Sequence, residues 1–277
     1  MGDFFKRLTT PYRKELEMVD RRIASALTHV SDPTAAGHMR YFMGSRGHML
    51  RPLIAIISYG YVKGVDLGAL ALQERTRLHT LGAALELLHT ASLVHDDVID
   101  DSGERRGQLS LNRKLGNTEA VLIGNLFYLS AFRLITELED PWFLQNFIST
   151  AEAMCLGEVL QNETAGSSID ADEYLRIIER KTGRLIACSA GTAARLAGAS
   201  EPLMQQMFSL AGQMGIMYQL KDDAQDHDVS NVCAEDVLEL HSAWRNLLQE
   251  TSGSISDATV LGKALKNLIQ YFLQGNQ

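Results

Sequence analysis

Four aspartates close a long apolar run in the stretch HTASLVHDDVIDDSGERRG, residues 89–107. On a helix, Asp96 and Asp100 lie one turn apart on one face with His89 and Leu93 in line below them, and Asp97 and Asp101 form a neighbouring stripe. These carboxylates repel one another, and no Lys or Arg stands among them. Anions at a helix C-terminus also meet the unfavourable end of its dipole. Such a cluster is tolerated when something else supplies positive charge. A hard divalent cation fits best, because Mg²⁺ takes carboxylate oxygens and shares its remaining positions with water and phosphates. The plain alternative is a solvated helix end that breaks into a turn at Ser102-Gly103.

A second acidic cluster, GIMYQLKDDAQDHD at 215–228, again closes an apolar helical run. Gln219, Asp222, Asp223 and Asp226 fall at i, i+3, i+4 and i+7, a single helix face. Two such DDxxD helices can face each other across a cavity, each holding metal from one side. Between them in the chain stand Lys181 and Thr182, a cation and a hydroxyl suited to a phosphate oxygen. Two acidic faces repel when brought together empty. Mg²⁺ and a diphosphate between them would make the approach favourable.

With these residues in hand, the chain resembles the trans-isoprenyl (polyprenyl) diphosphate synthase family over residues 40–228. HDDVIDDSGERRG is similar to the family's first aspartate-rich motif with its trailing arginine pair. GEVLQ at 157–161, ERKTG at 179–183 and YQLKDDAQD at 218–226 resemble its later signatures. One DDxxD is weak evidence; two, with the Lys-Thr pair and the arginines in order, are strong. The wording of HTASLVHDDVID is most like the long-chain members.

The elements that must position these residues are helical throughout. The chain has 277 residues, 45% hydrophobic and 22% charged, enough for a sizeable core. Only five prolines interrupt it. Its 26 basic against 34 acidic residues give a net charge of −8, which argues against nucleic-acid binding. Cys155, Cys188 and Cys233 stand in no metal-ligand spacing and read as thiols of a reducing cytoplasm. No apolar run of about 18 residues is evident, so a soluble protein is expected, able to touch a membrane surface. Helical spacing marks a first helix over 10–29, a cap at Ser31-Asp32-Pro33 and a central helix over 74–100. An apolar helix follows over 117–138, and Pro141 opens another that reaches GEVLQ. Glu158 and Gln161 there read as an interhelical hydrogen-bonding pair. Asp170 or Asp172 caps a helix running through Lys181 toward Gly198, rich in small residues that permit close packing. The second acidic helix spans 202–226, and two shorter helices follow around a break at 251–254. The expectation is one all-α domain over 1–277, about ten helices around a central cavity, the type I isoprenoid-synthase fold.

The resemblance implies a prenyl transfer: an allylic diphosphate ionises, isopentenyl diphosphate attacks the cation, and a proton is lost. It implies Mg²⁺, three ions with diphosphate bound, held by Asp96, Asp100 and Asp222, with Asp97, Asp223 and Asp226 as ligands directly or through water. Arg105 and Lys181 would hold the allylic diphosphate; Arg51, His89 and Arg106, with His48, the other substrate. Thr182 and Gln219 would turn oxygen dipoles toward the allylic cation. His48 stands where the family has a lysine and Arg46 where it has a glycine, and between Asp226 and Leu240 there is no Lys or Arg. Ala91 and Ser92, five and four residues before Asp96, are small where short-chain members carry aromatics. A product of about six or more isoprene units is therefore implied, with Leu88, Phe127 or Tyr128 closing the tunnel deeper. A homodimer, cytoplasmic and touching the membrane only to deliver product, completes the implied picture. The alternatives are a terpene synthase or diphosphate lyase, and a subunit of a heteromeric synthase.

Overall fold

The computed structural model describes residues 3–45, 47–226, 234–253, 255 and 259–274. In chain order the helices are α1 (Asp3–Thr9), α2 (Arg13–Leu27), α3 (Pro33–Gly44), α4 (Leu50–Lys63) and α5 (Leu72–Ile99). Two-residue strands β1 (Glu104–Arg105) and β2 (Gln108–Leu109) then pair antiparallel. After them come α6 (Leu111–Leu115), α7 (Asn117–Thr136), α8 (Pro141–Glu163), α9 (Ala171–Ile178), α10 (Arg184–Leu196), α11 (Glu201–Asp226), α12 (Ala234–Gly253) and α13 (Val260–Gln274). The starts follow local chemistry. Asp32 accepts from the Ala35 amide at 2.7 Å and Asp170 from the Glu173 amide at 2.8 Å, with Pro33 filling the first turn of α3. The cap that the sequence left open between Asp170 and Asp172 is Asp170.

Three elements differ from the expected ones. The first helix is broken at Thr10–Tyr12, so α2 starts later than its apolar spacing indicated. The arginine loop is a small hairpin. The helix through Lys181 is not continuous, because residues Glu179–Gly183 form a π-helical turn between α9 and α10. Such turns are rare and frequent at functional sites.

The contacts divide the chain into two compact units. One comprises Tyr12–Leu53 and Ala71–Phe147, and the other Met1–Pro11, Ile54–Leu70 and Ile148–Gln277. In the first unit α5 is the central element. From Leu78 to Leu88 every residue of it is buried, so it has no solvent face for much of its length. α7 and α2 pack along it. A β-carbon added at Gly82 would stand 3.0 Å from Val19, a sign of how closely α2 lies. Buried Glu15 on α2 receives hydrogen bonds from Arg75 at 2.6 Å and His79 at 2.5 Å, which keeps its charge compensated.

In the second unit α10 packs on α11. The small residues of α10 allow this, and the Phe208 ring fills the space where Gly191 would carry a side chain. Ile177, Ile178, Ile216 and Leu220 form an apolar cluster with Tyr174 and Val237. Cys188 is buried, which pushes its thiol up to about 11, and Cys155 is exposed. Cys233 lies outside the described residues. Among the described residues one helix, α7, is long and apolar enough by length and composition to cross a membrane, with a mean hydropathy of 1.3. Its apolar run is not uninterrupted, because Glu119 and Arg133 stand within it.

Candidate active site

At the end of α5 the four aspartates meet different fates. Asp96 is half-buried, Asp100 is exposed as the capping residue and Asp101 is exposed. Asp97 is 1% exposed. Both Arg105 Nε, at 2.8 Å, and Arg105 Nη2 donate to Asp97 Oδ1. The Asp97 carbonyl accepts from the Asn112 side chain and the Ser102 amide, each at 2.9 Å. Asp97, expected among the metal ligands, and Arg105, expected on the allylic diphosphate, are therefore joined to each other. The reason is one step of helical rotation, which turns Asp97 away from Asp96 and under the hairpin. Asp97 Oδ2 remains buried without a hydrogen-bond partner.

The hairpin is stitched to the end of α3. Gln108 Nε2 donates to Ser45 Oγ at 2.7 Å, Tyr41 donates to the Leu109 carbonyl at 3.0 Å, and Arg106 Nη1 donates to the Ser45 carbonyl at 3.1 Å. The Arg106 guanidinium occupies the place a side chain at Gly47 would need. His48, Arg51, His89 and Glu86 share its electrostatic surroundings. Burial and then Arg106 lower the pKa of His48, and burial and then Arg51 hold that of His89 well below the ordinary histidine range. Both rings are neutral at pH 7. Burial pushes the Glu86 carboxyl up, against the pull of Arg51 and Arg106, and its Oε2 has no partner. Glu86 went unnoticed in the sequence, where it reads as one more residue of a helical run. Arg46 lies outside the described residues.

His95 Nε2 donates to the Val121 carbonyl at 3.2 Å, and its ring fills the space above Gly124 of α7. The ring is thus packed against α7. Ala91, Leu88 and Phe127 are fully buried, with the Phe127 ring 6.0 Å from that of Phe42. Ser92 is half-buried and donates back to the His89 carbonyl at 2.9 Å.

The other unit carries the second set of residues on the π-helical turn, α8 and α11. Lys181 Nζ lies 2.6 Å from Glu158 Oε2 and donates to Gln161 Oε1 at 3.1 Å. The pair read as interhelical does reach off its own helix, and together the two residues cradle Lys181. Gly157 explains the G of GEVLQ: a β-carbon there would stand 2.8 Å from the Lys181 amide nitrogen and 3.0 Å from Arg180 Cβ. On the opposite side, a β-carbon at Gly215 would stand 2.8 Å from Gly183 Cα. The turn is gripped between α8 and α11 at two glycines.

Thr182 Oγ1 donates to Gln219 Oε1 at 2.9 Å, and Gln219 Nε2 donates to Asp223 Oδ1 at 2.8 Å. Tyr174 donates to Asp223 Oδ2 at 2.5 Å. Asp222 is exposed. The side chain of Asp226 and the segment 227–233, with its expected lack of a lysine flap, lie outside the described residues.

Among the described residues no three carboxylates, imidazoles or thiols converge as a closed metal cage. Mg²⁺ is held in general by one or two carboxylates and completed by substrate phosphates and water. Asp96 and Asp100, one turn apart with the Asp100 amide 2.8 Å from the Asp96 carbonyl, provide such a pair.

A family model described as polyprenyl synthetase matches residues 32–233. The chain is 31% identical over 231 residues to octaprenyl diphosphate synthase of Haemophilus influenzae, covering 82% of this chain and 66% of that protein. It is 32% identical over 190 residues to the Escherichia coli octaprenyl diphosphate synthase, covering 68% and 56%. The chain thus matches less than two thirds of these relatives' length. The crystal structure of a decaprenyl diphosphate synthase from Rhodobacter capsulatus superposes with a TM-score of 0.83 over 98% of each chain, at 20% identity, and so shares the fold. The all-helical architecture is that of the type I isoprenoid synthases, and with both acidic helix ends inside the matched region the chain belongs to the polyprenyl synthetase family.

Proposed function

We propose that the chain is a Mg²⁺-dependent trans-polyprenyl diphosphate synthase, condensing an allylic diphosphate with isopentenyl diphosphate into an all-trans product of medium to long chain. The observation that carries this reading is the family match over residues 32–233, a span that includes both aspartate clusters and the Lys181-Thr182 pair. That the two units act as one catalytic body is part of the proposal.

Asp96, Asp100 and Asp222 would hold the metal, whose chemistry is to neutralise the leaving diphosphate. Asp97 serves by holding Arg105. Lys181 has three N–H bonds and uses two of them on Glu158 and Gln161, so one is left for an allylic diphosphate oxygen. Arg51 and Arg106 supply the permanent positive charge for isopentenyl diphosphate, with neutral His48 and His89 beside them. Thr182 and Gln219 face the developing cation with oxygen dipoles, and the departing diphosphate takes the proton. Exposed Leu122 and Leu129 on α7, at 57% and 63%, support a homodimer that covers them. A cytoplasmic enzyme that releases product at a membrane surface fits this chemistry.

Incubation with labelled isopentenyl diphosphate, Mg²⁺ and allylic primers of increasing length, followed by product sizing, tests the reading. Elongated chains are expected. Free alcohol or hydrocarbon would favour a diphosphate lyase, the alternative that His48 and the absence of Lys or Arg between Asp226 and Leu240 keep open. Elongation only after adding a second protein would mark a heteromeric synthase.

Two further results are expected. Ala91→Phe shortens the product without stopping elongation, because an aromatic adds bulk at a position that alanine keeps small. Unchanged chain length in chromatography would move the floor to Phe127. His48→Lys lowers the KM for isopentenyl diphosphate and flattens its pH dependence. The sign follows from the depressed pKa of His48: the free ring is neutral at pH 7, a bound diphosphate favours its protonated form, and binding therefore tightens as pH falls toward 6. The substrate's own protonation is common to both enzymes and cancels in the ratio. Parallel pH profiles would rule out a role for His48.

A further inference from the structure

Resting on the synthase reading above, we propose that Asp223 is a positioning residue and not a metal ligand: it fixes the direction of the hydrogen-bond chain through Gln219 and Thr182. Its partners leave little choice. An ionised carboxylate carries no hydrogen and only accepts. Tyr174 donates to one oxygen at 2.5 Å and Gln219 Nε2 to the other at 2.8 Å. An amide that gives its nitrogen to Asp223 turns its oxygen the other way, toward Thr182, 2.9 Å off. Thr182 must then be the donor, and its single hydrogen is spent.

The consequence reaches the chemistry. Thr182 and Gln219 are left offering oxygen lone pairs, which stabilise a developing allylic cation. A hydroxyl hydrogen pointing outward would do the opposite. The two orientations of a glutamine amide have nearly the same shape, so packing alone does not choose between them. An obligate acceptor does choose, and it keeps its own negative charge two hydrogen bonds away from Thr182. Tyr174 is suited to anchor that acceptor. It is 7% exposed within the apolar cluster of Ile177, Ile178, Ile216 and Leu220. Burial, with help from Asp223, raises its phenol far above the ordinary tyrosine range, so it remains a donor.

Asp223→Asn is the test, because it keeps shape and the Tyr174 bond while offering Gln219 an N–H in place of an acceptor. The amide of Gln219 then reverses, and Thr182 turns its hydrogen outward. The expected result is a fall in kcat of about 10²-fold, with the allylic KM, the Mg²⁺ concentration for half-maximal rate and the melting temperature of the ligand-free protein nearly unchanged. Thr182→Val should lose a similar factor, and the double variant should be no slower than the slower single one, since both act through one group. Tyr174→Phe preserves the direction and should cost only a few-fold. Additive losses in the double variant, or a raised Mg²⁺ requirement in Asp223→Asn, would overturn the proposal. Neutron diffraction of the ligand-free protein reads the direction without any turnover. Deuterium on Thr182 pointing at Gln219 in the wild type, and away from it in Asp223→Asn, is expected; deuterium pointing away in the wild type would overturn it. A wild type that elongates no primer but shows the expected deuterium pattern would defeat the synthase reading and leave this one standing.

Discussion

Asp96→Ala and Asp222→Ala are each expected to lower turnover at least 10²-fold, and EDTA is expected to abolish it in the unaltered protein. Each aspartate offers a carboxylate at a helix C-terminus, where the backbone dipole is already negative and only a cation makes the charge favourable. A diphosphate leaving group carries several negative charges, and unless they are neutralised as the carbon–oxygen bond breaks, the barrier stays high. Removing one carboxylate removes part of the hold on that cation, and the loss falls on kcat as well as on Mg²⁺ affinity. Asp101→Ala is the control. Asp101 is exposed and paired at the surface with Arg113 at 2.9 Å, an interaction worth little. Its loss should leave turnover within about twofold, as expected of a surface pair. Full-rate elongation by EDTA-treated protein, or equal losses at Asp96 and Asp101, would sink the metal reading.

Gly157→Ala should cost nearly as much without touching any group that meets substrate. The added methyl would stand 2.8 Å from the Lys181 amide nitrogen, 3.0 Å from Arg180 Cβ and 3.2 Å from the Arg180 carbonyl carbon. Two of these atoms are backbone, so no rotamer change relieves the clash. The turn cannot retreat freely, because Gly183 behind it lies against Gly215 of α11. Overpacking of this kind destabilises by about 1–3 kcal/mol. The displaced turn also carries Lys181 and Thr182 away from their partners, and misplacement by about 1 Å can cost 10²-fold in rate. The expected outcome is a folded protein with a slightly lower melting temperature, a raised allylic KM and turnover down by about 10²-fold. Wild-type kinetics in Gly157→Ala would mean that the turn is free to move, and that its π-helical form does not serve the site.

His95 gives a smaller version of the same relation. Its ring fills the space above Gly124, so the end of α5 and the start of α7 meet through one imidazole and one missing side chain. The ring is a movable neighbour where the turn at Lys181 is not, so substitution at Gly124 is the milder of the two.

How much of this protein was legible in its residues follows from what spacing along a chain can measure. Acids at i and i+4 share a helix face wherever the helix goes, because rotation per residue is fixed. The aspartate pairs, the cap at Ser31-Asp32-Pro33, the helix opened by Pro141 and the small-residue face of α10 were readable directly, while the cap of α9 was narrowed only to Asp170 or Asp172. The order of motifs was enough to indicate the family. Spacing measures angle about one axis and says nothing about which angle faces the core. Asp96 and Asp97 are neighbours of the same type, yet one lies half-buried at the helix end and the other is buried against Arg105 and Asn112. What separates them is the hairpin that follows α5, whose fold is set by Tyr41 and Ser45 more than sixty residues earlier.

The same holds for the second half of the site. Glu158 and Gln161 read as a pair bonding to another helix because both are polar and one turn apart among small and apolar neighbours, but spacing does not name the partner. That partner, Lys181, is twenty residues beyond Gln161 and comes within reach where Gly157 lets the turn approach. The π-helical turn has no periodicity of its own to betray it, since one wide turn between two ordinary helices barely disturbs an apolar pattern. Asp223 and Tyr174 stand 49 positions apart, and no sequence rule joins them. The sequence alone determined which groups are present and which share a helix face. Tertiary packing decided which of those groups are held by one another and which are left to meet substrate, because burial and hydrogen-bond direction arise only where distant segments touch.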